Sequence, residues 1–144
     1  MTLNAPYDAD NIFTKIISGD IPSVKVSETD ETLAFMDVFP QSDGHVLVIH
    51  KTAPAANILQ IDGPALASVM NEVQRITKAL TEALEPDGIR IVQFNGAPAG
   101  QTVFHLHFHI IPVYEGVNER PHGSGGPLDA EILDPIAAKI RAAL

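Results

Sequence analysis

Residues 105 to 111 read HLHFHII. Three of the chain's six histidines, His105, His107 and His109, stand here at alternate positions, with Leu106, Phe108 and Ile110 between and after them. A period of two belongs to an extended strand, whose successive side chains leave on opposite faces. A helix would scatter the same residues around its circumference. The segment therefore predicts a strand over 103–113 with one apolar face and one imidazole face. Such a strand needs a sheet to sit in, a packed layer beneath its leucine side, and some use for its histidine side.

The rest of the chain can supply the sheet and the layer. In NIFTKIISGDIP, Ile12, Phe13, Ile16 and Ile17 share one helical face, and Gly19 and Pro22 stop it. VKVSE and TLAFMDV read as two strands around a polar turn, Glu28 to Glu31. A third strand begins near Gly44, with His45, Leu47 and Ile49 on one side and Val46, Val48 and His50 on the other. Over 64–85, Leu66, Val69, Met70, Val73, Ile76, Leu80 and Leu84 recur at spacings of three and four, which predicts a long amphipathic helix opened by Gly63-Pro64 and closed by Pro86-Asp87-Gly88. GIRIVQFN reads as a strand with Ile91, Gln93 and Asn95 on one face, and GAPAGQT as a loop. Asp134-Pro135 is expected to set a closing helix with Ile136, Ile140 and Leu144 in register, and Leu128 to Leu133 to lead into it. The first ten residues and NERPHGSGGP are expected to be loose. The order predicts one α+β domain over 1–144, a five-stranded, mostly antiparallel sheet with one long helix and a short helix near each end.

Composition removes several functional classes. There is no cysteine, so disulfide scaffolds, thiolate zinc sites and cysteine nucleophiles drop out. A net charge of −9 repels polynucleotides and anionic lipid, although donors in a cleft can still hold a small anion. The N-terminus lacks a basic region followed by an apolar run, and no stretch approaches the roughly 18 apolar residues of a membrane span. A cytoplasmic protein with no nucleic-acid or membrane partner is expected.

Three readings of the imidazole row are open. As a metal site, neighbours roughly 6.6 Å apart along the strand can share an ion, but the outer pair, roughly 13 Å apart, cannot easily join one tetrahedron. As a solvated face, the row has no special chemistry. As a catalytic face, one unprotonated imidazole attacks while its other nitrogen is held by an acceptor such as a strand carbonyl, and a flanking histidine binds an anionic oxygen.

At this point a resemblance enters. NGAPAGQTVFHLHFHIIP, residues 95–112, closely resembles the signature of the histidine triad (HIT) family, in which alternating histidines and apolar residues follow a Gly-Gln-(Ser/Thr) turn. NIFTKIISGDIPSVKV resembles the opening helix of that family and TLAFMDVFPQSDGHVLVIHK its middle strands, so the resemblance covers roughly 10–113 in the right order. It is nearest to the Hint-like branch of nucleoside phosphoramidate hydrolases, with 114–144 a variable tail. The resemblance implies that His107 attacks the α-phosphorus of a purine nucleoside phosphoramidate, forming a nucleotidyl-histidine that water then cleaves. It implies that His109 and His45 contact the phosphate and that His105 supports them. Gln101, Thr102 and the Val103 N–H would serve the phosphate and leaving group, with Thr102 the candidate proton donor, and Asn95 would reach the same region. Asp37 would take the ribose hydroxyls, and Ile12, Phe13, Ile16, Ile21, Phe35 and Leu47 would form the slot for the base.

The departures matter as well. Some relatives bind zinc through two cysteines of the opening helix. Asn11 and Thr14 stand at those positions here, so no metal or other cofactor is expected, and His50 is expected to be an ordinary residue. The tail lacks the tryptophan of the animal proteins, and its His122 is expected to face solvent, with lining of a neighbouring site as the lesser alternative. Relatives of this type imply a homodimer joined through the long helix and a sheet edge. Within the enzyme class the alternatives are a dinucleoside polyphosphate hydrolase and a metalloenzyme built on the histidine row; outside it, a purine-nucleotide-binding interaction protein.

Overall fold

A computed structural model describes residues 2–144 of the chain. The elements run α1 (Ile12–Ser18), β1 (Lys25–Glu28), β2 (Thr32–Met36), β3 (Val46–His50), α2 (Gly63–Leu84), β4 (Gly88–Val92), β5 (His107–Val113) and α3 (Ala130–Ala142), with short 3-10 turns at Thr2–Asn4 and Ala97–Ala99. The five strands form one sheet in the order β1-β2-β3-β5-β4, and every neighbouring pair is antiparallel.

Local chemistry sets the helix ends. The Asn11 side chain accepts from the Phe13 and Thr14 N–H groups, satisfying donors that the first turn leaves free. Gly19 closes α1 in the left-handed region at φ 87°. Asp62 caps α2 by accepting from Ala65 N–H, and Pro64 sits in its first turn, where no N–H is required.

The sheet has two different faces. Ala34, Met36, Val46, Val48, Phe108 and Ile110 turn toward α2 and α3, meeting Val69, Val73, Ile76, Leu80, Leu133, Ala137 and Ile140 in the main core. Leu33, Phe35, Leu47 and Ile49 turn the other way, against Phe13 and Ile16 of α1. His107 stands opposite Ile49 and His109 opposite Leu47 across the β3–β5 pair, so both histidines share this second face. The alternation of the sequence thus becomes a division of labour: Phe108 and Ile110 anchor the strand while His107 and His109 are presented by it.

Several expectations need correction. Ladder pairing in β5 begins at His107, so His105 precedes the strand and the imidazole face holds two rings. β4 ends at Val92, leaving Gln93 and Asn95 in the loop that follows. α3 begins at Ala130 and continues through Pro135. Burial of Leu133 at 1% exposure places it on the helix's packed face, and that packing outweighs the hydrogen bond Pro135 cannot donate. Leu144 is exposed and Leu133, Ala137 and Ile140 make the contact face instead. Nor is the N-terminal segment loose: Asn57 and Gln60 side-chain amides donate to the Leu3 and Ala5 carbonyls at 3.0 and 2.9 Å.

Candidate active site

Side chains of β5, β3, β2, α1 and the loops beside them converge on the second sheet face. The His107 and His109 rings lie 5.0 Å apart. Phe13 packs edge-on against His107 at 4.9 Å and against Phe35 at 5.4 Å. His105 lies beneath, not beside, these rings. Its Nε2 meets the His50 carbonyl at 3.0 Å and its Nδ1 meets the Tyr7 hydroxyl at 2.8 Å.

The hydrogen-bond network orders the protons. A neutral imidazole has one donor and one acceptor nitrogen. Gln41 N–H donates to His45 Nδ1 at 3.0 Å, so His45 carries its proton on Nε2. That Nε2–H faces His109 Nδ1 at 2.9 Å, which places the His109 proton on Nε2. His109 Nε2 is buried with no hydrogen-bond partner among the described residues. His107 is ordered in the opposite sense. Its Nδ1–H donates to the His105 carbonyl at 2.7 Å, which leaves the Nε2 lone pair free on the side of the cavity it lines. One strand therefore offers a nucleophilic nitrogen and, two residues on, a hydrogen-bond donor.

Burial keeps these rings uncharged. Desolvation lowers the pKa of His107 to about 4, with the His105 carbonyl pulling the other way. Desolvation likewise takes His45 to about 4, and desolvation followed by the charges of His107 and His45 takes His109 to about 2. Burial also lowers His105. Asp37 is shifted upward by burial, opposed by the Phe39 N–H that its Oδ1 accepts and by the positive forms of His107 and His122.

The cavity collects most of the residues singled out by sequence. Ile12, Phe13, Ile16, Phe35 and Leu47 form an apolar wall, and Asp37, Thr102, Val103, His107 and His109 line the cavity with them. Five others stand behind it, His105 among them. His45 is fully buried behind His109. Ile21 packs on the Phe13 cluster without lining the cavity. Gln101 spends its amide on the loop, donating to the Ala56 and Val103 carbonyls and accepting from Gly96 N–H. Asn95 accepts from Ile58 N–H and exchanges hydrogen bonds with Gln93, so its amide shapes the loop and does not line the cavity.

Asp37, His45 and His109 bring three potential ligand atoms within 4.8 Å of one another. Their proton order argues against a metal, because the His45 nitrogen facing the group bears hydrogen and already donates to His109. Asp37 Oδ2 lies 3.4 Å from the same nitrogen, a weaker second acceptor.

Two participants escape a reading of the sequence. Tyr7 meets His105 from 98 positions away, and nothing in APYDAD marks it. His122, expected in solvent, is exposed but lays its ring 5.2 Å from His109 and 5.1 Å from Phe94, and it lines the cavity.

Known proteins resemble this chain in sequence and in fold. The HIT domain model matches residues 18–116. A Hit-like protein of Bartonella henselae, described as involved in cell-cycle regulation, has a crystal structure similar to this chain at a TM-score of 0.90 and 48% identity, covering 97% of this chain and 100% of that one. The adenosine 5'-monophosphoramidase hnt1 of Schizosaccharomyces pombe is 45% identical over 101 residues, 70% of this chain and 72% of its own. The adenosine 5'-monophosphoramidase HNT1 of Candida albicans is 36% identical over 129 residues, 87% of this chain and 83% of its own. With its triad strand, its antiparallel sheet and these relatives, the chain belongs to the HIT domain family.

Proposed function

We propose that the chain hydrolyses purine nucleoside 5'-phosphoramidates, releasing a nucleoside monophosphate and an amine. The observation that carries this reading is the opposed proton order of His107 and His109 on one cavity wall. The His107 Nε2 lone pair attacks the α-phosphorus, and the P–N bond breaks with its electron pair passing to the amine nitrogen. That nitrogen takes a proton supplied through Thr102, which lines the exposed part of the cavity. Water then attacks phosphorus, the P–Nε2 bond returns its pair to His107, and the water proton leaves to solvent. His109 Nε2–H donates to a phosphate oxygen where charge builds, an interaction typically worth about 2.7–4 kcal/mol in such transition states. The Val103 N–H serves the same group, and His105, His45, Gln101 and Asn95 act by holding these elements in place. The apolar wall from Ile12 to Leu47 stacks the base, and Asp37 accepts from the ribose hydroxyls.

The monophosphoramidase activity named for the two yeast relatives supports the substrate class. Incubation with adenosine 5'-phosphoramidate in the presence of chelator should trap an adenylate on His107, located by peptide mass spectrometry. His107→Asn should retain nucleotide affinity and lose turnover. An adduct on another residue, or full turnover by that variant, would refute the reading. Faster cleavage of diadenosine tetraphosphate than of the phosphoramidate would favour the polyphosphate alternative. A cellular role that survives His107→Asn would favour a binding protein.

Among the described residues no helix is long and apolar enough to cross a membrane. We place the enzyme in the cytoplasm as a homodimer. Support for the second copy comes from β4, which ends the sheet and leaves Ile91 43% exposed, and from Met70, 38% exposed on α2. Sedimentation equilibrium at micromolar concentration tests it, and a monomer there would refute it.

A further inference from the structure

The His50 ring has no place in the reaction described above, yet it is buried, at 8% exposure, at the last position of β3. Its Nδ1 accepts from Thr52 N–H at 3.1 Å and from Ala53 N–H at 2.9 Å. Asn11 makes the same pair of contacts, two and three residues ahead of itself, where it caps α1. The His50 ring is therefore a cap that turns the chain at the end of β3. Donors on Nδ1 place its proton on Nε2 and keep the imidazole neutral.

The segment folded by this cap, 50–56, presents three carbonyls to the triad and its loop. The His50 carbonyl accepts from His105 Nε2–H at 3.0 Å. The Ala55 carbonyl accepts from Leu106 N–H at 2.9 Å. The Ala56 carbonyl accepts from the Gln101 amide at 2.6 Å. The first two hold the residues on either side of the 105–106 peptide, whose carbonyl accepts His107 Nδ1–H at 2.7 Å. The third holds the start of the loop that carries Thr102 and Val103. None of the three carbonyls belongs to a residue lining the cavity.

We propose that the His50 side chain is a positioning residue for the reaction. It folds the 50–56 segment so that its carbonyls align the peptide that orients His107 and the loop that bears Thr102. Without the cap the 105–106 peptide is free to turn, and His107 can carry its proton on Nε2, where it cannot attack. The effect on rate rests on the hydrolase reading above; the effect on the His107 ring does not.

Two variants test this. His50→Ala removes the acceptor, and His50→Asn keeps one near the Nδ1 position, as Asn11 shows. In His50→Ala, kcat for adenosine 5'-phosphoramidate should fall about tenfold to 100-fold, the cost of a small displacement at a reacting centre. KM should change by less than about twofold, because the base wall and Asp37 are untouched. Nitrogen NMR of the His107 ring, which needs no turnover, should show a share of the Nε2–H tautomer. His50→Asn should keep both the tautomer and kcat of the unaltered chain. Equal kcat losses in the two variants, a loss carried by KM, or an unchanged His107 tautomer in His50→Ala would overturn the role. Failure of both variants to fold would overturn it too, leaving His50 a residue of the fold alone. If only His50→Ala fails to fold, a lowered kcat or mixed tautomer in His50→Asn overturns the role and unaltered values support it. Absence of turnover by the unaltered chain would sink the hydrolase reading, and the His107 tautomers would still judge His50.

Discussion

His45 Nε2 lies 2.9 Å from His109 Nδ1, and the Gln41 N–H on the far side of His45 decides which of the two donates. A backbone amide thereby sets the proton position of a ring it does not touch. His45→Ala removes this relay, leaves the Gln41 N–H without its acceptor, and frees His109 to carry its proton on either nitrogen. A fall in kcat of about 100-fold is expected, the scale for loss of one oriented donor, together with about 1–3 kcal/mol of stability for the stranded amide. Nitrogen NMR of the His109 ring should show a mixture of tautomers in the variant. A single unchanged tautomer with unchanged kcat would show that the relay has no part.

The buried histidines make the fold acid-sensitive. His45 and His107 have pKa values of about 4 and His109 of about 2, each below the ordinary 6.5. In the unfolded chain they take protons as pH falls through 6.5, while in the folded chain they do not. Their stabilisation is therefore complete above 6.5 and is lost as pH falls from there toward 4. Asp37, raised by burial, acts in the opposite direction, because its folded form holds a proton at pH values where the unfolded carboxyl has lost it. Urea midpoints measured from pH 7 to 4.5 should fall steadily, at a slope approaching three protons. A flat profile would contradict the burial argument.

Tyr7 binds a part of the chain that carries no motif to the centre of the site. Its hydroxyl donates to His105 Nδ1 at 2.8 Å while Asn11 Nδ2 donates to the hydroxyl at 3.2 Å. Tyr7→Phe should cost about 1 kcal/mol of stability, as for one net hydrogen bond. His105 supplies the carbonyl that holds His107, so kcat should also fall, by less than about tenfold. Chemical denaturation and steady-state kinetics on the same preparation test the two effects together. An unaltered kcat would show that the His105 carbonyl holds its place without Tyr7.

Gly44 enters β3 at φ +97°, and a Cβ there would run into Leu84 Cδ1 at the end of α2. Both backbone strain and overlap oppose Gly44→Ala, so a loss of about 1–3 kcal/mol is expected. The urea midpoint should drop with the slope of the transition unchanged. Equal stability would mean that Leu84 can move aside and that the turn tolerates a side chain.

Much of the fold can be read along the chain because its signals are local and periodic. The apolar stripe ending at Leu84 and the alternation through Phe108 and Ile110 each name an element and its buried face, and the core contains them except for Met70, which the stripe included and which is exposed. Other features are decided by contact between distant residues. Pro135 looks like a helix start until Leu133 is seen packed in the core, which carries α3 back to Ala130. Gln101 and Asn95 stand in the triad motif as polar candidates, yet neighbouring backbone groups claim both amides.

By itself the sequence determined the strand, its two chemically different faces, the long helix and the kind of chemistry an imidazole row permits, because these depend on periodicity and residue type alone. Tertiary structure decided the rest. It set which histidine holds a lone pair toward the cavity, which one donates, and which, His105, serves beneath. It also brought Tyr7 and His122 to the site. Tautomer and burial are properties of surroundings, and the groups that impose them here come from 64 positions away for His45 on His109 and 98 for Tyr7 on His105.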